Sequence, residues 1–203
     1  MTHRSRTPRL VTLSVSVVLI AGGVPGSATA FAAPSAPAPL HVTALPAAPA
    51  VEWVETTDPP SGITAELPGK ATVRKATVSI EGKEVDARVY LVDTPDGAVG
   101  FAVHDMPGDQ YPLEDNLQRV LESYMQNTAE PLTSSNVHKV TFDGRPALDA
   151  RLTSETDGEP LAGFIRLIAD DTHLVQALTL GPKTHEKALK ALHERLLNDL
   201  RIP

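Results

Sequence analysis

From residue 51 onward, apolar positions recur first at intervals of two and then of three to four, and each change of interval marks a new element. Residues 51–56 (VEWVET) read as a short strand closed by Asp58-Pro59-Pro60, and residues 63–67 as a second one closed by Pro68-Gly69. Residues 73–80 and 83–92 pair as a hairpin turned at Glu81-Gly82. In its second arm Val85, Ala87, Val89 and Leu91 alternate with Asp86, Arg88 and Tyr90, which predicts that the valine-rich face alone is buried. The turn 93–97 (DTPDG) leads into strand 98–106, where Val99, Phe101 and Val103 point inward and Gly100 and His104 lie on the other face.

The interval then lengthens. Pro112 opens a helix, with Glu114 and Asp115 at its positive dipole end. Leu113, Leu117, Val120, Leu121 and Tyr124 form its apolar stripe, and Pro131 ends it. Four strands follow at 137–142, 147–153, 161–169 and 173–180, joined by Asp143-Gly144, by 154–160 and by Asp170-Asp171. The near-continuous apolar run 164–168 predicts a strand covered on both faces. A last helix opens at Thr184 as N-cap with Glu186 in its first turn, and buries Leu189, Leu192, Leu196 and Leu200. Strands joined by short turns give an antiparallel β-sheet, and two helices flank it. The fold class is α+β.

Composition changes the picture most before residue 51. Arg4, Arg6 and Arg9 precede an uncharged, mostly apolar run at 10–21, and small residues follow up to Ala28-Thr29-Ala30. That order is a secretory, Sec-type signal peptide over residues 1–30, cut after Ala30 or, at Ala30-Phe31-Ala32, after Ala32. The apolar run stops at Gly22-Gly23 and Pro25, short of the roughly 20 residues a spanning helix needs, so no stable membrane anchor is expected after cleavage. Residues 31–50 are an Ala/Pro-rich linker expected to be disordered; 33–50 holds seven Ala and five Pro and no charge. Residues 51–203 are then a single α+β domain, long enough for one core.

The formal charge of the whole chain is −7. Loss of the three arginines leaves 15 of the 18 basic residues against 25 acidic ones, a charge of −10. Such an acidic domain lacks the basic stripe that phosphate backbones require, and aromatics at 4 % cannot build a base-stacking platform, so nucleic acid is excluded as partner. The absence of cysteine removes disulfides, thiolate metal sites and cysteine nucleophiles, and with them a lipid anchor.

Three segments carry a family likeness: 62–69 (GITAELPG), 142–153 (FDGRPALDARLT), and the run 163–182 before the closing helix. With the order of elements over 51–203, they resemble the Mog1/PsbP-like superfamily, and more narrowly are similar to secreted or lipid-anchored actinobacterial proteins of the LpqN type. The resemblance implies an antiparallel sheet flanked by helices and a binding or assembly role, since that superfamily is known for partner proteins such as nuclear-transport cofactors and a photosystem subunit. The lipobox cysteine of its lipoprotein members is missing here, and none of the superfamily's functional residues carries over to this chain.

Catalytic chemistry has little foothold. There is no G-x-S-x-G elbow, and Ser134-Ser135 lacks a glycine frame. No phosphate cradle of the G-x-x-x-x-G-K or G-x-G-x-x-G kind is present. His185 and His193 are eight apart, about 80° offset on a helix, which suits no shared ion. Asp170-Asp171-Thr172-His173 reads as turn chemistry, and Asp105, Asp109, Glu114 and Asp115 lack calcium-loop spacing. No catalytic residue, metal or cofactor is therefore assigned. Trp53, between Glu52 and Glu55, and Tyr111, at the loop-to-helix junction, are the surface candidates for binding.

The resulting expectation is a secreted, non-enzymatic binding or assembly module that meets an envelope or extracellular protein. Two alternatives remain open: a carrier of a small lipid or hydrophobic ligand in a sheet–helix cavity, or an extracellular hydrolase whose pocket gathers His104, His138 or His173 with carboxylates. With no metal assigned, residues 51–203 alone should melt cooperatively in the presence of a chelator. Loss of that transition on adding EDTA would contradict the expectation.

Overall fold

Tight turns return most strands beside their predecessors, so within each sheet sequence neighbours pair antiparallel wherever no helix intervenes. In the computed structural model residues 51–203 are described except Glu81, 129–130 and 155–159, and the expected signal segment and linker lie outside the described residues. Strands β1 (Val54–Thr57) and β2 (Thr64–Leu67) make a two-stranded ribbon. Strands β3 (Thr72–Ile80), β4 (Lys83–Thr94) and β5 (Gly97–His104) form a meander, and helix α1 (Leu113–Thr128) carries the chain to the far edge. From there β6 (Leu132–Phe142), β7 (Arg145–Ser154), β8 (Leu161–Ala169) and β9 (Leu174–Pro182) step back until β9 closes against β5. The result is a seven-stranded antiparallel sheet of order β3-β4-β5-β9-β8-β7-β6. Helix α2 (Glu186–Asp199) follows a single 3-10 turn at Lys183–His185. Past α2, Arg201 and Thr64 exchange backbone hydrogen bonds of 2.8 and 3.0 Å, fastening the C-terminal segment to β2.

Both faces of the sheet are apolar, and each packs against a different cover. One face presents Tyr90, Val99, Phe101, Val103, Ile168 and Val175 to Ile63 and Leu67 of the ribbon side and to Leu196 and Leu200 of the α2 side. The opposite face presents Leu148, Leu152, Ile165, Leu167 and Leu174 to Leu113, Leu117 and Leu121 of α1. The central strand β8 is covered on both sides, as the run 164–168 predicts.

Strand β4 corrects the one-faced expectation drawn from its alternation. Val85 and Ala87 are buried, but so are Arg88 and Tyr90 on the other face, while Val89 and Leu91 are only half-buried. Arg88 is buried because two carboxylates share it. Its Nε and Nη2 donate to Asp58 at 2.6 and 3.1 Å, and its Nη1 and Nη2 donate to Asp105 at 2.6 Å each. Asp58, with no exposed surface, also accepts from Tyr90 Oη at 2.7 Å. Burial alone would raise the Asp58 carboxyl, but hydrogen bonds from Arg88, Ser61 and Tyr90 outweigh it and hold the group below the usual carboxylate range. The loop after β1 is thereby fixed to the middle of β4 and to the segment after β5.

Two boundaries also differ from the pattern. β6 begins at Leu132 rather than 137, because a bulge between Ser135 and His138, with Asn136 at φ 52°, shifts the alternation by one position and hides the earlier half. Thr184 is not the N-cap of α2; it sits in the 3-10 turn, His185 occupies the cap without a side-chain bond, and Glu186 pairs with Arg151 of β7 at 2.5 and 2.9 Å.

Replacing Arg88 with Ala leaves Asp58 buried without its counter-charge. Urea unfolding should show a loss of about 3–5 kcal/mol, and Arg88→Lys, which cannot fork between two carboxylates, should also be destabilised.

Candidate functional site

Strands sit about 4.8 Å apart, so seven span roughly 29 Å, whereas a helix with its side chains covers about 10 Å. Helix α1 packs on β6, β7 and β8, and among the described residues no helix lies above the same face of β3, β4, β5 and β9. The pairing registers place residues of that open face in rows across the four strands. Ala76, Ala87, His104 and Leu174 make one row; Arg74, Val89, Ala102 and Gln176 the next; Thr72, Leu91, Gly100 and Leu178 the third. Small residues in these rows leave space that no other side chain fills. At Gly100 a Cβ would fall 1.9 Å from the Tyr90 carbonyl oxygen, so glycine is required there and the floor stays low.

The outcome is an open groove of about 350 Å³ between this floor and one flank of α1. Ala76, Val78, Val89, Leu91, Ala102 and Leu178 line it from the sheet, and Val120 and Tyr124 from the helix. Its size and lining are those of a small-molecule site. Polar groups come from two directions. Arg119, Glu122, Ser123 and Gln126 border it on α1; His104 and Gln176 rise from the floor. Arg119 donates to Asn116 Oδ1 at 3.0 Å, and its guanidinium lies 4.6 Å over the Tyr111 ring.

The candidate residues of the sequence are dispersed. Tyr111 is half-buried at the start of α1 and packs on the core beneath that helix. Trp53 is on the opposite side of the sheet, half-buried, with the Arg195 guanidinium 3.7 Å from its ring centre. Neither lines the groove. His104 does, but His138 and His173 do not: His138 Nε2 is 3.8 Å from Asp149, and His173 bridges Asp105 and Asp170 at 3.7 Å each. Among the described residues, Glu122 is the sole carboxylate in the lining. Ala30 and Ala32 lie outside the described residues. What sequence reasoning missed is the floor itself; its signal is the recurrence of Ala or Gly at inward positions of strands otherwise rich in Val and Leu.

No family model matches the sequence, and no curated protein matches it. Among solved structures, the chain is similar to cyanobacterial PsbP (CyanoP) from Synechocystis sp. PCC 6803, at 12 % identity over 75 % of this chain and 94 % of that one, with a TM-score of 0.56. The fold is Mog1/PsbP-like. Two looser matches are PA94 from Pseudomonas aeruginosa, described as a protein of unknown function and putative regulator, and LpqN of Mycobacterium tuberculosis, described as involved in cell envelope biogenesis. PA94 has 11 % identity over 74 % of this chain and 98 % of its own, with a TM-score of 0.42. LpqN has 14 % over 75 % and 91 %, with a TM-score of 0.40. At those scores neither carries an argument.

Within this Mog1/PsbP-like sheet, two histidines are held neutral. His104 faces the groove, and His193 of α2 lies on the other side with its ring centre 6.0 Å from that of Phe164. In both, Nδ1 is sealed from solvent with no partner among the described residues. Burial pushes each pKa down from 6.5 to about 4; Arg88 reinforces and Asp105 opposes this at His104, as Arg166 and Asp149 do at His193. The unfolded chain therefore takes up these two protons before the folded one does. Stability should be full above about pH 6.5 and decline from there to about pH 4, at up to about 1.4 kcal/mol per pH unit for each histidine. Urea midpoints at pH 7, 5.5 and 4.5 should fall in sequence, and His193→Phe should flatten the slope. An unchanged midpoint across that range would contradict the burial.

Proposed function

We propose that this chain is an exported, non-catalytic binding module that holds a small hydrophobic molecule in the groove between α1 and strands β3, β4, β5 and β9. The observation that carries the reading is the groove, apolar along floor and wall and about 350 Å³ in volume. Burying a ligand there removes apolar surface from water at about 25 cal/mol per Å², which suffices for micromolar affinity without any covalent chemistry.

Two competing readings have less support. A hydrolase needs a base and an acid converging on one bond, whereas among the described residues Glu122 is the one carboxylate that shares the groove with His104, and His138 and His173 pair elsewhere. A protein-assembly surface needs a contiguous apolar patch, whereas the large exposed hydrophobics among the described residues are set singly: Val51 ahead of β1, Val73 on β3, Met125 on α1 and Val137 on β6. Export is supported by the order of Arg4, Arg6 and Arg9, the apolar run 10–21 and the Ala28-Thr29-Ala30 site.

The test uses the neutral fluorophore N-phenyl-1-naphthylamine with the full chain. Saturable fluorescence enhancement at one probe per chain is expected. Ala102→Phe, which fills the floor, should weaken binding about tenfold or more, a change of at least about 1.4 kcal/mol, while the melting transition stays cooperative. Absence of saturable enhancement with the unmodified chain would overturn the reading.

A further inference from the structure

On β5 and β9 the groove floor carries two polar side chains, His104 and Gln176, and those two are neighbours. His104 on β5 stands opposite Leu174 of β9, and Gln176 stands opposite Ala102. His104 and Gln176 are thus a diagonal pair on the same face, about 7 Å apart along the sheet, with Ala87, Ala102 and Leu178 around them. His104 Nδ1 is sealed without a partner, and the half-buried Gln176 amide makes no side-chain hydrogen bond among the described residues. A buried nitrogen without a partner is the exception, and beside it the Gln176 amide opens onto the groove, so a molecule seated there meets two polar groups that no protein atom uses.

We infer that His104 and Gln176 form the polar end of the groove and that its ligand is an uncharged amphiphile whose hydroxyl group binds between them. The inference rests on the groove being a ligand site and adds the class of ligand. A hydroxyl both donates and accepts, so it satisfies either tautomer of a neutral imidazole and either end of a carboxamide. Half a turn of the ring about its Cβ–Cγ bond fills the same outline and brings Nδ1 to the ring's other edge, so the sealed nitrogen is not permanently out of reach. A carboxylate or phosphate placed there would lose its hydration and gain no counter-charge. Arg88 lies on the other face, shared by Asp58 and Asp105; Arg119 is on the helix, bonded to Asn116; and Arg74 stands three strands away from Gln176, on β3, with a partner of its own. Burial keeps the His104 imidazole neutral down to about pH 4, which also leaves no cation at this end of the floor.

Displacement of N-phenyl-1-naphthylamine from the full chain by 1-octanol, octyl methyl ether and octanoate at pH 7.5 separates the outcomes. Octanol is expected to displace the probe at about one-fifth the concentration the ether needs, the worth of one ordinary net hydrogen bond, and to outperform octanoate. In His104→Leu and in Gln176→Leu that advantage should shrink toward one while the probe itself still binds. The two variants are independent, so if one fails to melt cooperatively the other decides. Equal displacement by octanol and ether in the unmodified chain would overturn the polar pair and leave the groove reading standing. Preference for octanoate would overturn it in favour of an anionic head at Arg119. Failure of the probe to bind at all would remove the groove reading, and this inference with it.

Discussion

A sheet that is apolar on both faces must be covered on both faces, and a single helix shades only two or three of its strands. Here seven strands share two helices and one ribbon. On one face α2 and the β1–β2 ribbon lie over the middle of the sheet and meet Phe101, Val99 and Val175. On the other, α1 lies over β6, β7 and β8, where its crossover from β5 to the far edge carries it. The four remaining strands keep an apolar face with open space above it, and the groove is that remainder. Its existence follows from topology; its depth follows from Ala76, Ala87, Gly100 and Ala102.

The groove needs the covered face to be firm, and Arg88 supplies that firmness. The guanidinium sits on β4 directly behind the groove floor and draws Asp58 and Asp105 onto one point. Replacing such a charge triad with apolar residues could stabilise the core equally well, but a hydrophobic patch has no preferred orientation. The forked geometry fixes where the loop after β1, and with it the ribbon, lies on the sheet. Tyr90 shares the arrangement: its ring stacks on Phe101 with centres 4.8 Å apart, and its hydroxyl donates to Asp58.

Most of the fold was legible in the sequence because the turns are strong and the alternation is clean. Asp93 to Gly97, Asp143-Gly144 and Asp170-Asp171 each mark a reversal, and the α+β class follows from the order of intervals. The legible part thins where a local rule is broken for a tertiary reason. The bulge beside Asn136 hides the start of β6, and the charge pair at Arg88 makes a buried position look exposed. Trp53 and Tyr111 stood out by residue type, yet each packs against an arginine of its own chain, Arg195 and Arg119. The groove could not be read directly, since an alanine in a strand signals small volume without saying whether another residue fills the space. Only the pairing register, which aligns Ala76 with Ala87 and Ala102 beside Gln176, turns those small residues into one surface.

Likeness to CyanoP at 12 % identity establishes the architecture and leaves the chemistry to the residues of this chain. Those residues offer an apolar recess, with a neutral polar pair in its floor, on the face opposite Trp53. The most direct measurement is an NMR titration of the isotope-labelled full chain with 1-octanol, following backbone amides and side-chain methyls. Saturable shifts confined to Val78, Val89, Leu91, Ala102, Val120 and Leu178 are the expected result. Shifts centred on Trp53 and α2, or none at all, would contradict a ligand site in the groove.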